Sequence, residues 1–96
     1  MAPYVYPKLA AARARARELG LPEPHSSQRA NKKLYVVYNG EEIHFGGKGH
    51  PDFLIHGDEE ERRRYRARHG AIKLGNGRFA YRDPSRPAYY SWHILW

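Results

Sequence analysis

Three regularly spaced histidines are the residues whose types could bind a metal ion. His44, His50 and His56 lie six residues apart, with Asp52 and Asp58 nearby. Imidazole and carboxylate groups ligate zinc, but zinc-binding sequences usually carry a closer pair of ligands on one helix. We therefore expect His44 to form hydrogen bonds on the outer face of a sheet and His56 to help start a helix. The sequence predicts no metal site and no cofactor.

Serine, cysteine and carboxylate residues offer little for hydrolytic chemistry. The chain has no cysteine, which excludes a Cys nucleophile, a disulfide framework and a thiolate zinc finger. Ser26, Ser27, Ser85 and Ser91 follow no elbow motif, and local spacing places none of them beside a base. The acidic run 59–61 could supply an acid or a base, but it also suits the positive end of a helix dipole. The sequence predicts a protein that is not an enzyme.

Positive charge is the strongest compositional feature, because 17 Lys and Arg residues against 10 Asp and Glu residues give a net charge of +7 over 96 residues. Residues 1–30 carry five basic side chains against two acidic ones, a net +3, and the other 66 carry twelve against eight, a net +4. Such an excess is typical of proteins that contact phosphate groups. Since both parts are basic, the charge does not reside in a detachable arm alone.

The first 30 residues form an arm that is rich in Pro, Ala and Arg. Pro3 and Pro7 favour extended backbone, and residues 8–19 favour a helix that ends at Gly20. This helix has only a thin apolar stripe, so we expect it to gain little from packing on its own domain. Residues 25–31 are predicted to be a polar linker. The domain organisation is therefore an arm over 1–30 and a small domain over 31–96.

A β-hairpin is predicted over residues 33–45, because two strand-like runs flank the turn Asn39-Gly40. Pairing Tyr38 with Glu41 gives this hairpin one mostly apolar face, which should be the core side. That face consists of Leu34, Val36, Ile43 and Phe45. The other face consists of Tyr35, Val37, Glu42 and His44.

A helix is predicted over residues 58–69, with Asp58 and Glu61 at capping-box spacing. Its acidic residues come first and its basic residues last, which suits the helix dipole. We expect pairs four residues apart, Glu59 with Arg63 and Glu60 with Arg64, each worth about 0.2–0.5 kcal/mol.

Three further segments complete the expected fold. Residues 53–55 are a third strand or a plug on the hairpin, and Asn76-Gly77 allows a second hairpin over 72–81. The aromatic segment 88–96 should close the core over the hairpin or insert into a neighbour. The sequence thus predicts an α+β fold with a small antiparallel sheet of three to five strands. It contains no membrane-spanning run and no signal peptide.

Four segments carry a resemblance to a known family. They are the hairpin KKLYVVYNGEEIHFG (residues 32–46), the stretches 52–56 and 58–69, and the ending PAYYSWHILW (residues 87–96). In this order they resemble a family of short basic proteins of nucleocytoplasmic large DNA viruses. This chain departs from that pattern at Glu41 and Glu42, where a Lys is usual, and its first 30 residues lie outside the resemblance.

The resemblance implies a role in a virus particle and supplies no catalytic residues. Together with the arm, it predicts a structural protein, a minor capsid or other virion component that cements neighbouring subunits. The expected location is the virion capsid, and the host cytoplasm or nucleus before assembly. Tyr, Trp and Arg are enriched at protein interfaces. The expected partner-binding residues are Tyr4, Tyr6, Arg13, Arg15 and Arg17 in the arm, and Arg62, Arg63, Arg66, Trp92 and Trp96 in the domain.

The alternative function is nucleic-acid binding. Arginines can contact phosphates while aromatic rings stack on bases. The residues would be Arg13, Arg15, Arg17, Arg62, Arg63 and Arg66, with Tyr35 or Tyr81 for stacking. The acidic run 59–61 partly neutralises the helix that carries half of these arginines, so an acidic protein surface is an equal counterpart for the charge.

Overall fold

A three-stranded antiparallel sheet organises the α+β fold. The computed structural model describes residues 2–96, and its strands are β1 (His25–Ser26), β2 (Lys32–Tyr38) and β3 (Glu41–Gly47), in the order β1-β2-β3. The Asn39-Gly40 turn has positive φ at both residues, 51° and 79°, as a two-residue hairpin turn of right-handed twist requires. The predicted register is confirmed, because Tyr38 pairs with Glu41.

The core face of the hairpin is also as expected. Leu34, Val36 and Phe45 are fully buried and Ile43 is nearly so. Alternation of side chains along a strand therefore assigns the two faces correctly from sequence.

The segment 25–31 is not a linker, contrary to our expectation. His25 pairs with Tyr35 and Ser26 pairs with Leu34 as strand β1, and the amide of Ser27 donates to the carbonyl of Lys33 at 2.9 Å. Polar residues serve here because β1 is an edge strand only two residues long, and its side chains hydrogen-bond rather than fill the core. This short strand joins the N-terminal part of the chain to the sheet.

Four α-helices, one 3₁₀ turn and one π turn surround the sheet. They are α1 (Leu9–Leu19), α2 (Phe53–His56), α3 (Glu59–His69), a 3₁₀ turn (Ala80–Arg82) and α4 (Pro87–Tyr90), which continues into a π turn (Ser91–Leu95). Residues 53–55 are therefore helical, neither a strand nor an apolar plug. Asp52 caps α2 by accepting from the amide of Ile55 at 3.1 Å.

Helix α3 starts as predicted, since Asp58 accepts from the amides of Glu60 and Glu61 at 2.9 and 3.3 Å. The reciprocal half of the capping box is absent among the described residues, because the Asp58 amide donates to Nδ1 of His56 at 2.9 Å. His56 thus helps to start the helix, as expected.

The N-terminal segment packs into the same core as the sheet. Tyr6, Ala12 and Ala16 are at most 1% exposed, and α1 contacts the π turn. The expectation that this helix gains little from packing is wrong, because alanines at 12 and 16 let its backbone approach the C-terminal segment closely. The predicted arm, described from Ala2 onward, therefore shares one hydrophobic cluster with the domain.

The aromatic C-terminal segment closes the core, which was the first of the two expected alternatives. Tyr90, Ile94 and Leu95 are buried, and the Tyr90 ring packs 5.8 Å from that of Phe45. The approach is close enough that a Cβ at Gly46 would lie 2.8 Å from Leu95. Gly46 also has a positive φ of 78°, so glycine is required there on both counts.

The possible second hairpin over residues 72–81 is present only as a single antiparallel bridge, between Lys73 and Phe79. The Ala80 amide also donates to the Ile72 carbonyl at 2.9 Å. The turn closes from Leu74 to Arg78, whose main-chain groups bond at 2.8 Å, and the chain then enters the 3₁₀ turn. Residues 71–73 and 75–78 are exposed, so no packed face holds a longer ladder. Among residues 2–96, no helix combines the length and apolar character needed to cross a membrane.

Candidate functional site

One buried ionic network links the N-terminal segment, the sheet and helix α2. The Asp52 carboxylate accepts from the Tyr6 hydroxyl at 2.8 Å and from the Lys33 ammonium at 2.8 Å, and the ammonium also donates to the carbonyl of His50. Asp52 is 1% exposed. Burial, followed by the nearby Asp52 charge, raises the pKa of Tyr6, so its hydroxyl stays protonated as a donor. We name Tyr6, Lys33 and Asp52 the buried ionic network.

A second polar constellation lies on the outer face of the sheet. Ser27 Oγ is 2.7 Å from His44 Nδ1, and His44 Nε2 is 3.0 Å from Glu42 Oε1. A His44 protonated on Nε2 satisfies both contacts and accepts from the serine hydroxyl, the order of groups found in hydrolytic triads. Local spacing did not reveal this serine–histidine pair, because β2 separates the two residues.

The geometry of Ser27 gives it a structural role. Its side chain is fully buried, and Oγ also accepts from the Arg29 amide at 3.2 Å. A nucleophile must reach a substrate atom, and this hydroxyl has no path to one in the fold. His44 forms hydrogen bonds on the outer sheet face as expected, and its contact with Ser27 crosses β2 and links the residue after β1 to β3.

A cleft of about 460 Å³ opens beside the buried ionic network. Tyr65 and Trp96 form part of its wall, with their rings stacked 4.3 Å apart and 3° from parallel. Lys33 and Asp52 reach its floor but already satisfy each other. Among residues 2–96, no three His, Asp or Glu residues are grouped to hold a metal ion. The lining also includes His50, Arg68, His69 and Ser91, so the cleft is polar as well as aromatic.

Three arginines converge on the C-terminal turn. Arg15 Nε donates to the carbonyl of His93 at 2.7 Å, while Arg62 Nε and Arg66 Nη2 donate to the main-chain oxygen of Trp96 at 2.7 and 3.2 Å. Carbonyls at the end of a helical segment attract cations, which explains why three guanidinium groups gather here. We name Arg15, Arg62 and Arg66 the cationic cluster.

The cluster members repel one another. Burial lowers the pKa of Arg15, and the charge of Arg62 lowers it further. Burial likewise lowers the pKa of Arg66, followed by the charges of Arg62 and Arg15. Nε of Arg66 is buried without a hydrogen-bond partner among the described residues. Like charges held this close present a strong positive potential to any acidic group that approaches.

Carboxylates compensate this cluster only in part. Arg62 pairs with Glu59 at 3.7 Å, whereas no Asp or Glu side chain in the described part of the chain lies within ion-pairing distance of Arg15 or Arg66. The cluster also opens to solvent, because a shallow depression of about 320 Å³ is lined by Glu59, Arg62, Arg63 and Arg66.

The remaining arginines of α3 are largely neutralised by its own acids. Arg63 pairs with Glu60, and Arg64 pairs with Glu61 at 2.7 Å and with Glu60 at 3.7 Å. The expected Glu60–Arg64 pair is present, but Glu59 pairs with Arg62 instead of Arg63. Arg63 was a predicted partner-binding residue, and the structure engages it within its own helix. Such exposed pairs contribute little to stability.

Of the aromatic residues predicted as partner anchors, Tyr6 is buried and the other three are half-buried, with their rings against neighbours in the protein. Tyr6 belongs to the buried ionic network, and Trp96 stacks on Tyr65. Trp92 stacks on Tyr81 at 4.2 Å, with the Arg66 guanidinium 5.0 Å from its ring centre. Tyr4 is half-buried with Lys48 Nζ 4.0 Å from its ring centre. The aromatic ends therefore stabilise the domain through stacking and cation–π contacts.

The two tyrosines considered for base stacking have neighbours on their rings. Tyr35 lies between His25 and His44, at 5.3 and 5.0 Å between ring centres. Tyr81 packs on Trp92, and Arg82 lies 5.3 Å from its ring centre. Neither ring offers an open face of the kind that stacks on a nucleotide base.

The two other predicted arm arginines lie on α1 in different surroundings. Arg13 donates to the carbonyl of Pro24 at 3.1 Å and faces Glu23 at 3.7 Å. Arg17 is exposed. Of the predicted set, the structure brings together Arg15, Arg62 and Arg66. Sequence reasoning missed Ser27, Lys33 and Asp52 as partners in polar networks, and no local signal in the sequence links them.

The comparisons with known proteins place part of the chain in a family context. Residues 25–69 match the model of a family described as "Family of unknown function (DUF5754)". This match spans β1 to the end of α3, just under half of the chain, and includes Arg62 and Arg66 but not Arg15. No curated protein and no solved structure matches the chain.

Proposed function

We propose that this chain is a non-enzymatic docking protein that binds an acidic protein surface through the cationic cluster, as a minor capsid or other virion component. The observation that carries the proposal is the convergence of Arg15, Arg62 and Arg66, of which two have no Asp or Glu side chain within ion-pairing distance among residues 2–96. The resemblance to short basic proteins of large DNA viruses supplies the expected setting.

The energetics of the cluster favour a binding role. Like charges that repel one another destabilise a fold, and an acidic partner that pairs with them relieves this cost. The main-chain oxygens of His93 and Trp96 fix the guanidinium groups before a partner arrives, so less side-chain entropy is lost on binding. Charge-assisted and bidentate arginine–carboxylate pairs would then form the centre of the interface.

An acidic protein surface fits better than nucleic acid. The unpaired cations that converge form one compact group, whereas nucleic-acid grooves usually combine a longer basic track with open aromatic faces. Tyr35 and Tyr81 have their rings occupied by neighbours, and Arg63 is paired with Glu60. Nucleic-acid binding remains the second candidate, and the same experiment distinguishes it.

The test compares two double variants that change charge equally. Arg15→Gln/Arg66→Gln removes two cluster cations, and Arg17→Gln/Arg68→Gln removes two cations from the same two helices outside the cluster. We expect the first pair to weaken binding of poly-L-glutamate about tenfold or more and the second to change it less than about threefold. Fluorescence anisotropy at low and moderate salt measures both, and circular dichroism with thermal melts verifies folding.

Equal losses in the two double variants would show that only net charge matters and would overturn the assignment to the cluster. A DNA duplex that binds more tightly than poly-L-glutamate, with the same dependence on Arg15 and Arg66, would favour the nucleic-acid alternative. The virion role predicts a fixed copy number in purified particles by mass spectrometry, and absence from the particles would contradict it.

A further inference from the structure

A groove runs between helices α1 and α2, next to the cationic cluster. Its volume is about 420 Å³. The lining residues are Ala11, Ala14, Arg15, Glu18, Leu19 and Leu54. Leu19 is 50% exposed, and Leu54 is half-buried. The floor of the groove is therefore apolar and made of small or aliphatic side chains, whereas its two charged residues lie on α1.

The groove is continuous with the cationic cluster. Arg15 belongs to both, and the Arg62 guanidinium lies 4.7 Å from the ring centre of Phe53, the residue that precedes Leu54 in α2. A ligand that fills the groove therefore reaches guanidinium groups from two helices. The positive potential at this end and the apolar floor together define the chemistry of the occupant.

The shape of the groove suits a helix. Helix α1 has 11 residues, which corresponds to about 16 Å of axis, or three turns. Alanines at 11 and 14 leave no ridge on this face, so a second helix can approach the α1 backbone closely. An incoming helix would bury apolar side chains against Leu19 and Leu54 and direct carboxylates towards the cluster.

We infer that the α1–α2 groove receives an acidic amphipathic helix of a protein partner, which is seated by its apolar face and held at one end by Arg15, Arg62 and Arg66. This inference rests on the proposed function and names the partner segment. Charge complementarity favours an acidic occupant, because the guanidinium groups of the cationic cluster repel a basic helix. Glu18 lies one turn further along α1 than Arg15, so the helix carries its acids at the cluster end and avoids an acid opposite Glu18. The acidic end of the partner is thereby placed at the cluster.

The test uses two synthetic peptides of equal composition. One carries Leu at helical spacing on one face and Glu at one end only, and the second has the same residues scrambled so that the apolar face is lost. We expect the full chain to bind the amphipathic peptide about tenfold more tightly than the scrambled one. Isothermal titration calorimetry or fluorescence anisotropy provides the dissociation constants.

A matched pair of variants locates the binding to the groove. Ala14→Gln places a longer side chain on the groove floor, and Ala10→Gln makes the same change at an exposed position of α1 outside the lining. We expect A14Q to abolish the preference for the amphipathic peptide and A10Q to retain it. Glutamine is a good helix former, so both variants should keep α1 intact.

Failure of this inference is distinguishable from failure of the proposed function. Equal affinity for the two peptides, or equal effects of A14Q and A10Q, would overturn the inference that the groove binds a helix. If binding still depended on Arg15 and Arg66, the proposed docking function would stand. Loss of that arginine dependence for both peptides would overturn both proposals.

Discussion

The buried ionic network and the cationic cluster differ in how their charged side chains are paired. In the network, Lys33 and Asp52 pair at 2.8 Å and are almost excluded from solvent. In the cluster, Arg15 and Arg66 donate to main-chain oxygens and Arg66 lies over the Trp92 ring, but no Asp or Glu side chain among residues 2–96 forms an ion pair with either arginine. Both regions draw their members from distant parts of the chain.

This difference separates structural charge from charge that is available for binding. A buried charge needs its partner within the folded protein, because an unpaired charge in the interior costs several kcal/mol. A half-buried cationic group costs less, and it would gain a partner if an acidic ligand bound, as we propose. Lys33 and Asp52 therefore depend on each other within the fold, whereas Arg15 and Arg66 are the cations that we propose for recognition.

The largest expected effect is that of Asp52→Ala on stability. The substitution leaves the Lys33 ammonium buried without its partner, so we expect the free energy of unfolding to fall by about 3–5 kcal/mol. Asp58→Ala is the matched control, because both aspartates cap a helix but Asp58 is exposed. Its loss should cost about 1 kcal/mol. Urea denaturation measures both, and equal losses would reduce Asp52 to a helix cap.

A smaller effect is expected for Tyr6→Phe, which removes the hydroxyl that donates to Asp52. A hydrogen bond to a charged group contributes about 1.5–3 kcal/mol, and we expect a loss near the lower end because Lys33 and the Ile55 amide remain. Tyr4→Phe, two residues earlier, should cost less than about 0.5 kcal/mol. The same denaturation experiment compares them, and similar values for the two tyrosines would argue against a role for the hydroxyl.

Local patterns predicted the elements that local interactions determine. The Asn39-Gly40 turn and the alternation around it predicted the β2–β3 hairpin and its register. Asp58, with the change from acidic to basic residues after it, predicted α3. The same turn dipeptide at Asn76-Gly77 allowed a second hairpin, of which the structure has one bridge and no extended strands, because most flanking residues are exposed. A turn signal thus specifies a hairpin only where a strand face packs against a core.

Long-range contacts account for what could not be predicted. Tyr6 and Asp52 are 46 residues apart, and Ser27 and His44 are 17 apart, so sequence spacing does not link their side chains. The predicted binding residues contained all members of the cationic cluster but also Arg13, Arg17 and Arg63. In the fold, Arg13 faces Glu23, Arg63 pairs with Glu60 and Arg17 is exposed. The two groups differ in whether the side chain reaches the C-terminal segment, which is a long-range contact.

The smallest expected effect is a shift in the pKa of His93, which lies beside the cluster. Burial lowers the pKa of His93 below its usual value, a hydrogen bond with the Tyr81 backbone opposes this, and the charges of Arg66 and Arg15 lower it further. The folded-state pKa of His93 lies below the unfolded one. The stability that this group contributes is therefore fully present above about pH 6.5, and it falls as the pH drops through the interval between the two pKa values.

The cluster's contribution to this pKa can be isolated. In Arg15→Gln/Arg66→Gln we expect the His93 pKa to rise, because two repelling charges are gone, whereas Arg17→Gln/Arg68→Gln should leave it in place. Poly-L-glutamate bound to the unmodified chain should raise it as well, since bound carboxylates offset the same charges. A proton NMR titration of the His93 ring resolves these shifts. A His93 pKa that rises in the cluster variant but not with bound poly-L-glutamate would mean that the acidic polymer binds elsewhere. The proposal that the cationic cluster binds acidic partners would then be wrong.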